Sequence, residues 1–447
     1  MNLALRCVMP GFEGTTAPDW LRRAASEGLG GVVLFGRNIV DRDQLRALVS
    51  SLHAERPELV VAIDEEGGDV TRLEARTGSS YPGNLALGAA GDPSLTEQVA
   101  YAIGAELAAV EIDLNLAPVA DVNSDPRNPV IGVRSFGSDA ARAAEHTAAW
   151  VRGHQRTGVA ACAKHFPGHG ATSVDSHLDL PVGAPELRPF EVAIAAGVQA
   201  VMSAHIVAPQ FDDAPATISR RVMTGVLRGE LGFGGVAISD GLDMRGISGE
   251  RGIPTAALLA VNAGCDALCI GGGPAGPEIV DEIVGVLSAG VSDERTAEAA
   301  RRVDALAAWR AEHRATGRTN REAGLVAARR ALSVFGDVKV RDDAVVIRFD
   351  TEPSIAAGDI SWGMAAALTD RGVRVRDDGK SMVLVVRDLH RNPQHLRAVE
   401  VALATRPDAI VVEMGVPVCR PSRAANYIAT HGSARVCAQA AAEAMRP

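Results

Sequence analysis

The sequence predicts an α/β chain: a (β/α)8 TIM-like barrel followed by a small three-layer α/β domain. Three observations predict it. Eight short apolar, β-branched runs alternate with longer segments of helical period up to about residue 285, the pattern of repeated β-α units. At 447 residues the chain exceeds what one hydrophobic core usually serves. A second set of strand-like runs follows an Ala- and Arg-rich helical stretch. The expected division is residues 1–292 for the barrel, 293–334 for a helical connector and 335–447 for the C-terminal domain.

In order, the eight runs are Leu3 to Met9, Gly31 to Phe35, Val60 to Asp64, Leu114 to Val119, Val159 to His165, Ala200 to His205, Val236 to Asp240 and Ala267 to Gly271. Eight β-α units in one series close most naturally as a barrel, with an open doubly wound sheet as the alternative. Helices fill the intervals. Leu95 to Val110 carries apolar residues every three or four positions, and Asp92, Pro93 and Ser94 supply its start signals. From Asp293 to about Ser333 the chain reads as a helical connector packed on the barrel. Beyond it, Val345 to Phe349, Val373 to Arg376, Met382 to Arg387, Ile410 to Met414 and the stretch around Val436 read as strands.

With 47% hydrophobic and 22% charged residues, the composition is that of an ordinary folded protein. A net charge of -10 and the lack of a basic patch argue against nucleic acid and anionic lipid as partners. No apolar run is long enough to span a bilayer, and the start, Met1-Asn2-Leu3-Ala4-Leu5-Arg6, lacks the features of a signal peptide. The six cysteines lie mostly alone in apolar stretches, as reduced thiols would, so a cytoplasmic location is expected. Cys265 and Cys269 are four apart, but no second Cys or His cluster completes a metal set; neither metal nor cofactor is expected.

In such a barrel the carboxyl ends of the strands and the loops after them face the active site. Strand ends here read Asp64, then Arg134 in the loop after the fourth run, Lys164 and His165, Asp175 and His177 in the following loop, His205, and Asp240. Charged groups held at strand ends discriminate well between polar substrates, because leaving them unpaired is costly. Most of them have a plainer reading. Asp240 could cap the next helix. Asp175 and His177 could share a loop hydrogen bond, Lys164 and Asp64 a salt bridge across the barrel top, and His205 could be a core histidine. His169, between two glycines, is expected to shape its loop, and Asp121 to contact Arg134 or the substrate.

KHFPGHG at 164–170 followed by DSH at 175–177 resembles the signature of family 3 glycoside hydrolases of the β-N-acetylglucosaminidase type. IDEEGG at 63–68, APVADV at 117–122, NPVIGVRSF at 128–136, VMSAHI at 201–206 and ELGFGGVAISDGLDM at 230–244 are similar to that family in the same order. The resemblance implies an exo-acting, retaining hydrolase of terminal β-linked N-acetylglucosamine, a small carbohydrate substrate, and double displacement with Asp240 as nucleophile. It further implies that His177, oriented by Asp175, is the acid and base, and that Asp64, Arg134, Lys164 and His165 bind substrate; His205, at the end of the sixth run, is expected either to line the same substrate pocket or to be a near-core histidine. The imidazole's ordinary pKa of about 6.5 suits both acid and base roles.

Glu65 stands where the family commonly has glutamine, Asp69 where it has arginine, Ala171 where it has aspartate, and Gly241 where a second acid often follows the nucleophile. These alter charge around the pocket and leave every proposed catalytic group in place. Three other readings remain open. A phosphorylase would use phosphate in place of water, a β-glucosidase on the same barrel would take its acid from the second domain, from Glu400 or Glu413, and an inactive relative would act as a sugar-binding regulator.

Overall fold

The computed structural model describes residues 2–174, 180–249, 251–271, 273, 275–314, 319–351 and 363–446. Eight parallel strands form the first sheet: β1 (Val8–Pro10), β2 (Gly31–Leu34), β3 (Val60–Ile63), β4 (Leu114–Asn115), β5 (Ala160–Phe166), β6 (Ala200–Ser203), β7 (Val236–Ser239) and β8 (Ala267–Ile270). Hydrogen bonding runs in order from β2 to β8 and then to β1, as a (β/α)8 barrel requires. The ring is nearly closed. Between β1 and β2 the ladder is replaced by close approach: Gly30 N–H donates to Leu5 O at 3.2 Å, and a Cβ on Gly31 would lie 2.7 Å from the Met9 side chain.

The two faces of each strand have different neighbours, as a period of two dictates. Met9, Val33, Val60, Ala62, Leu114, Ala160, Cys162, Met202, Ile238 and Cys269 pack with one another inside the barrel. The alternate residues, among them Val8, Val32, Val61, Ile63, Ala161, Val201, Ala237 and Leu268, pack against the outer helices. One of these helices, Pro93–Ala109, begins where the sequence indicates, with Asp92 accepting from Ser94 N at 3.0 Å and Leu95 N at 3.3 Å. The first strand starts later than its apolar run suggests. Leu5–Cys7 form a short 3-10 turn, and Asn2 Oδ1 accepts from Ala4 N at its start, so pairing begins only at Val8.

The connector helix Asp293–His313 closes the amino-terminal end of the barrel. Its Val303 and Leu306 join the interior cluster. Its arginines meet aspartates that immediately precede strands: Arg295 and Arg302 reach Asp266 at 2.7 and 3.0 Å, and Arg310 pairs with Asp113. The same aspartates accept backbone N–H groups of neighbouring strands, from Ala237 at 3.0 Å and from Val61 at 2.7 Å. Floor and strands are therefore bonded through shared carboxylates.

After the Glu322–Ala331 helix comes a six-stranded sheet: β9 (Ser333–Phe335), β10 (Asp343–Arg348), β11 (Arg374–Val375), β12 (Ser381–Val386), β13 (Ile410–Glu413) and β14 (Asn426–Ala429). Its order is β9-β14-β13-β12-β10-β11, with β9 antiparallel and the other pairs parallel. Helices Met364–Asp370 and Arg435–Met445 cover one face and Pro393–Thr405 the other, giving three layers. Val436 is a correction to the sequence reading: it lies in the last helix, where Ala438, Ala441 and Met445 recur at helical spacing against the sheet. β9 and β14 are additions.

Candidate active site

The loop after β3 turns sharply at Gly67 and Gly68, with φ of 78° and 64°, a conformation in which a side chain would be strained. The turn brings Glu66 back over the barrel. Its carboxylate binds Arg134 in a two-pronged pair, Oε1 to Nη2 at 2.8 Å and Oε2 to Nε at 3.0 Å. Glu66 Oε1 also lies 2.8 Å from Lys164 Nζ, and Lys164 reaches Asp64 Oδ1 at 2.6 Å. Four charges from three strand ends thus form one largely buried array, with Arg72 Nη2 3.7 Å from Asp64 Oδ2 at its edge. Burial opposes ionisation of Glu66, but the Arg134 and Lys164 cations prevail and hold it well below the usual carboxylate range. Burial likewise disfavours the Lys164 ammonium, yet Asp64 and Glu66 raise its pKa above the ordinary value.

Lys164 and His165 belong to β5 and are joined by a cis peptide bond. His165 Nδ1 lies 2.7 Å from Asp121 Oδ2, so Nδ1 carries the proton and Nε2 points away, toward Arg134 Nη2 at 3.5 Å. Asp121 is fully buried and also accepts from the backbone N–H of His169 at 2.6 Å and of His165 at 3.2 Å. Burial works against its charge, but His165 and His169 lower its pKa. The sequence placed Asp121 against Arg134 or the sugar; it instead orients His165, while Arg134 takes Glu66.

His169 shapes its loop as expected. Its carbonyl accepts from Asn128 Nδ2 at 2.9 Å, its Nδ1 meets Thr172 Oγ1 at 2.8 Å, and burial pushes its pKa down to about 4. Asn128 ties the β4 loop to the β5 loop just ahead of the segment expected to hold the acid and base. Asp175 and His177 themselves lie outside the described residues.

Asp240 follows the last residue of β7, and its Oδ1 accepts from Gly241 N at 2.8 Å. The next helix, Arg245–Ser248, has Met244 at its N-cap position, so Asp240 does not cap it. Beneath this turn His205 is fully buried, with Nε2 3.0 Å from Gly241 O and Nδ1 2.8 Å from Thr217 Oγ1. That geometry makes His205 a support for the backbone beside Asp240. Asp243 accepts from Gly271 N and Gly273 N, both at 3.0 Å, and so fastens the loop after β8 alongside.

Glu400 and Glu413 are both engaged with backbone N–H groups of their own domain. Glu413 is fully buried and accepts from the backbone N–H of Asp388 and Gly415, both at 2.8 Å; Glu400 holds Ser422 N at 2.5 Å and Ser422 Oγ at 2.9 Å. Among the described residues no group of three or more His, Cys, Asp or Glu is placed to hold a metal ion, and no helix is long and apolar enough to cross a membrane. Glu66 is the site residue that sequence reasoning passed over. Its signal was available, as an acid two places beyond a strand-ending acid and followed by two glycines.

The strand ends of this parallel barrel gather carboxylates, arginine, lysine and histidine on one rim. Residues 14–306 match the glycosyl hydrolase family 3 N terminal domain, and the chain belongs to that family: it is a glycoside hydrolase. Among its relatives, a β-hexosaminidase of Stenotrophomonas maltophilia is 41% identical over 281 residues, covering 59% of this chain and 80% of the relative. A family 3 β-N-acetylglucosaminidase from a Paenibacillus strain superposes with a TM-score of 0.90 at 32% identity, covering 99% of this chain and 96% of that one. The β-N-acetylhexosaminidase of Beutenbergia cavernae, at 34% identity and a TM-score of 0.62, covers 69% of this chain and 98% of its own.

Proposed function

We propose that the protein removes terminal β-linked N-acetylglucosamine by hydrolysis with retention. The observation that carries the reading is the array Asp64–Lys164–Glu66–Arg134, with His165 beside it, set on the same ring of strand ends as Asp240. Asp64, Arg134, Lys164 and His165 offer donors and acceptors to the hydroxyls of a single sugar, and the charges behind them are already paired, so their geometry is set before substrate arrives. The names of the relatives, β-hexosaminidase and β-N-acetylglucosaminidase, support the choice of sugar.

In the first half-reaction an Asp240 carboxylate oxygen bonds to the anomeric carbon as the glycosidic C–O bond breaks, and His177, oriented by Asp175, gives its proton to the leaving oxygen. In the second, His177 takes a proton from water as that water attacks the anomeric carbon and releases Asp240. Two inversions give retention. Six cysteines without a disulfide support a reducing, cytoplasmic setting.

The test is a slow 5-fluoro-N-acetylglucosaminide, which should leave a sugar ester on Asp240 detectable by mass spectrometry of the digest, while Asp240→Ala loses nearly all turnover. A label on Asp243 or on a second-domain acid would overturn the assignment. A panel of nitrophenyl glycosides checks the sugar, and added phosphate should neither speed turnover nor yield a sugar 1-phosphate. His177→Ala should spare an aryl glycoside of an acidic phenol far more than a natural disaccharide, with a burst of phenol and rescue of the steady rate by azide.

A further inference from the structure

The second domain makes a buried polar contact with the barrel at Asp69, at the tip of the loop that carries Glu66. Asp69 is 2% exposed at its side chain and lies 2.5 Å, Oδ2 to Nη2, from Arg387, which follows β12. Asp69 Oδ1 accepts from Ser433 N at 2.9 Å, in the loop after β14. The two partners are themselves joined, since Arg387 Nη1 donates to Ser433 Oγ at 2.7 Å and Ser433 Oγ donates to Met414 O at 2.9 Å. Burial disfavours the Arg387 cation, but Asp69 raises its pKa.

The loop between Glu66 and Asp69 is short and stiff. Glu66 N donates to Val70 O at 3.0 Å, Val70 N to Gly67 O at 3.3 Å, and Gly68 N to Tyr81 O at 2.9 Å, so the tip cannot shift without carrying Glu66. Glu66 holds both Arg134 and Lys164. The second domain grips the other side of that pair as well: His390 Nε2 donates to Pro126 O at 2.7 Å, and Val416 lies against Gly132, two residues from Arg134. Both loops joined by the Glu66–Arg134 pair are thus held from one side by the same domain.

We propose that Arg387 is a positioning residue, and that the Asp69–Arg387 pair is the contact through which the second domain sets Glu66, and with it Arg134 and Lys164, for sugar binding. The role rests on the reading of Arg134 and Lys164 as sugar contacts. It reaches substrate only through Glu66, so its loss weakens binding without altering proton transfer. A charge pair removed from water is costly to halve, which makes the loop sensitive to either partner.

The experiment uses the full chain and calorimetric binding of N-acetylglucosamine, with KM, kcat and the pH profile on its p-nitrophenyl β-glycoside. Arg387→Met should weaken sugar binding and raise KM by about tenfold, a size usual for coupling through an intervening residue. The shape of the pH profile should be unchanged, and Arg387→Lys should restore part of the loss. The deciding readout is a double-mutant cycle with Glu66→Gln: if Arg387 acts through Glu66, adding Arg387→Met to that variant costs little more. Ser433→Ala, a milder change that removes the acceptor for Arg387 Nη1, should weaken binding in the same direction and covers the case in which Arg387→Met does not fold. Unchanged sugar affinity in Arg387→Met or in Ser433→Ala, or losses that multiply fully with those of Glu66→Gln, would overturn the proposal. Arg134→Ala separates the two readings: if it leaves sugar binding unchanged the sugar contacts are wrong, and if it weakens binding while Arg387→Met does not, only the interdomain coupling is wrong.

Discussion

Replacing Glu66 by glutamine would leave Arg134 and Lys164 buried together with one carboxylate fewer between them. The expected cost is about 3 kcal/mol of stability, measured by urea unfolding, because breaking one side of a buried pair strands the other charge. Sugar affinity should fall with it. Glu65 behaves oppositely. Burial raises its pKa from 4.5 to about 7, although Leu73 N and Arg72 N donate to it. Between those pH values the folded protein keeps a proton that the unfolded chain has released, so this group's contribution is full below pH 4.5 and is lost as pH rises through about 7. Glu65→Gln, whose side-chain oxygen can accept the same two N–H groups, should therefore be more stable than the parent at pH 8 and show a flatter Tm between pH 5 and 8. Equal pH slopes in the two proteins would count against it. Asp64, Lys164, His165, Arg134 and Asp240 were legible in the sequence as charged groups at or just beyond the ends of apolar runs. Glu66 and Asp121 were not assigned their partners, because the turn at Gly67 and Gly68 and the irregular loop after β4 decide where they point, and no periodicity encodes that.

At the level of elements, the Asp293–His313 helix is the floor of the barrel, and Leu306 is its plug. Leu306→Ala should cost about 2–4 kcal/mol through lost burial and the cavity left behind. Asp266→Asn should cost a similar amount, since Arg228, Arg295 and Arg302 all converge on that fully buried carboxylate. Calorimetric unfolding measures both. The eight barrel strands could be read from sequence because they are buried on both faces and appear as unbroken apolar runs. The second sheet was harder. β14, Asn-Tyr-Ile-Ala, is too short and mixed to stand out, and β9 is an edge strand with Val334 and Phe335 exposed. The connector was recognised as a helix packed on the barrel, but which end it closes depends on the pairing of Arg295, Arg302 and Arg310 with aspartates far away in sequence.

The whole molecule is two folded units that meet at the loop carrying Glu66 and at the segment after it. Ser433 N bonds to Asp69, Val436 N to Ser79 O at 3.4 Å, and Arg435 Nη2 to Ser80 Oγ at 2.6 Å. If this docking persists in solution, hydrogen exchange in peptides spanning 430–437 should be as slow as in the barrel strands; exchange at loop rates would show that the units part. Sequence gave no hint of the docking, because Asp69 and Arg387 are ordinary charged residues until the fold brings them together. The floor helix has a consequence for how the chain is made. The barrel strands are complete by Ile270, yet Val303, Leu306 and Arg310 emerge later. At ~5–20 residues per second, a ribosome leaves the nascent barrel unsealed at its base for a few seconds. During that interval the packed interior lacks Val303 and Leu306 at its base, and the eighth strand is without the helix that pins Asp266.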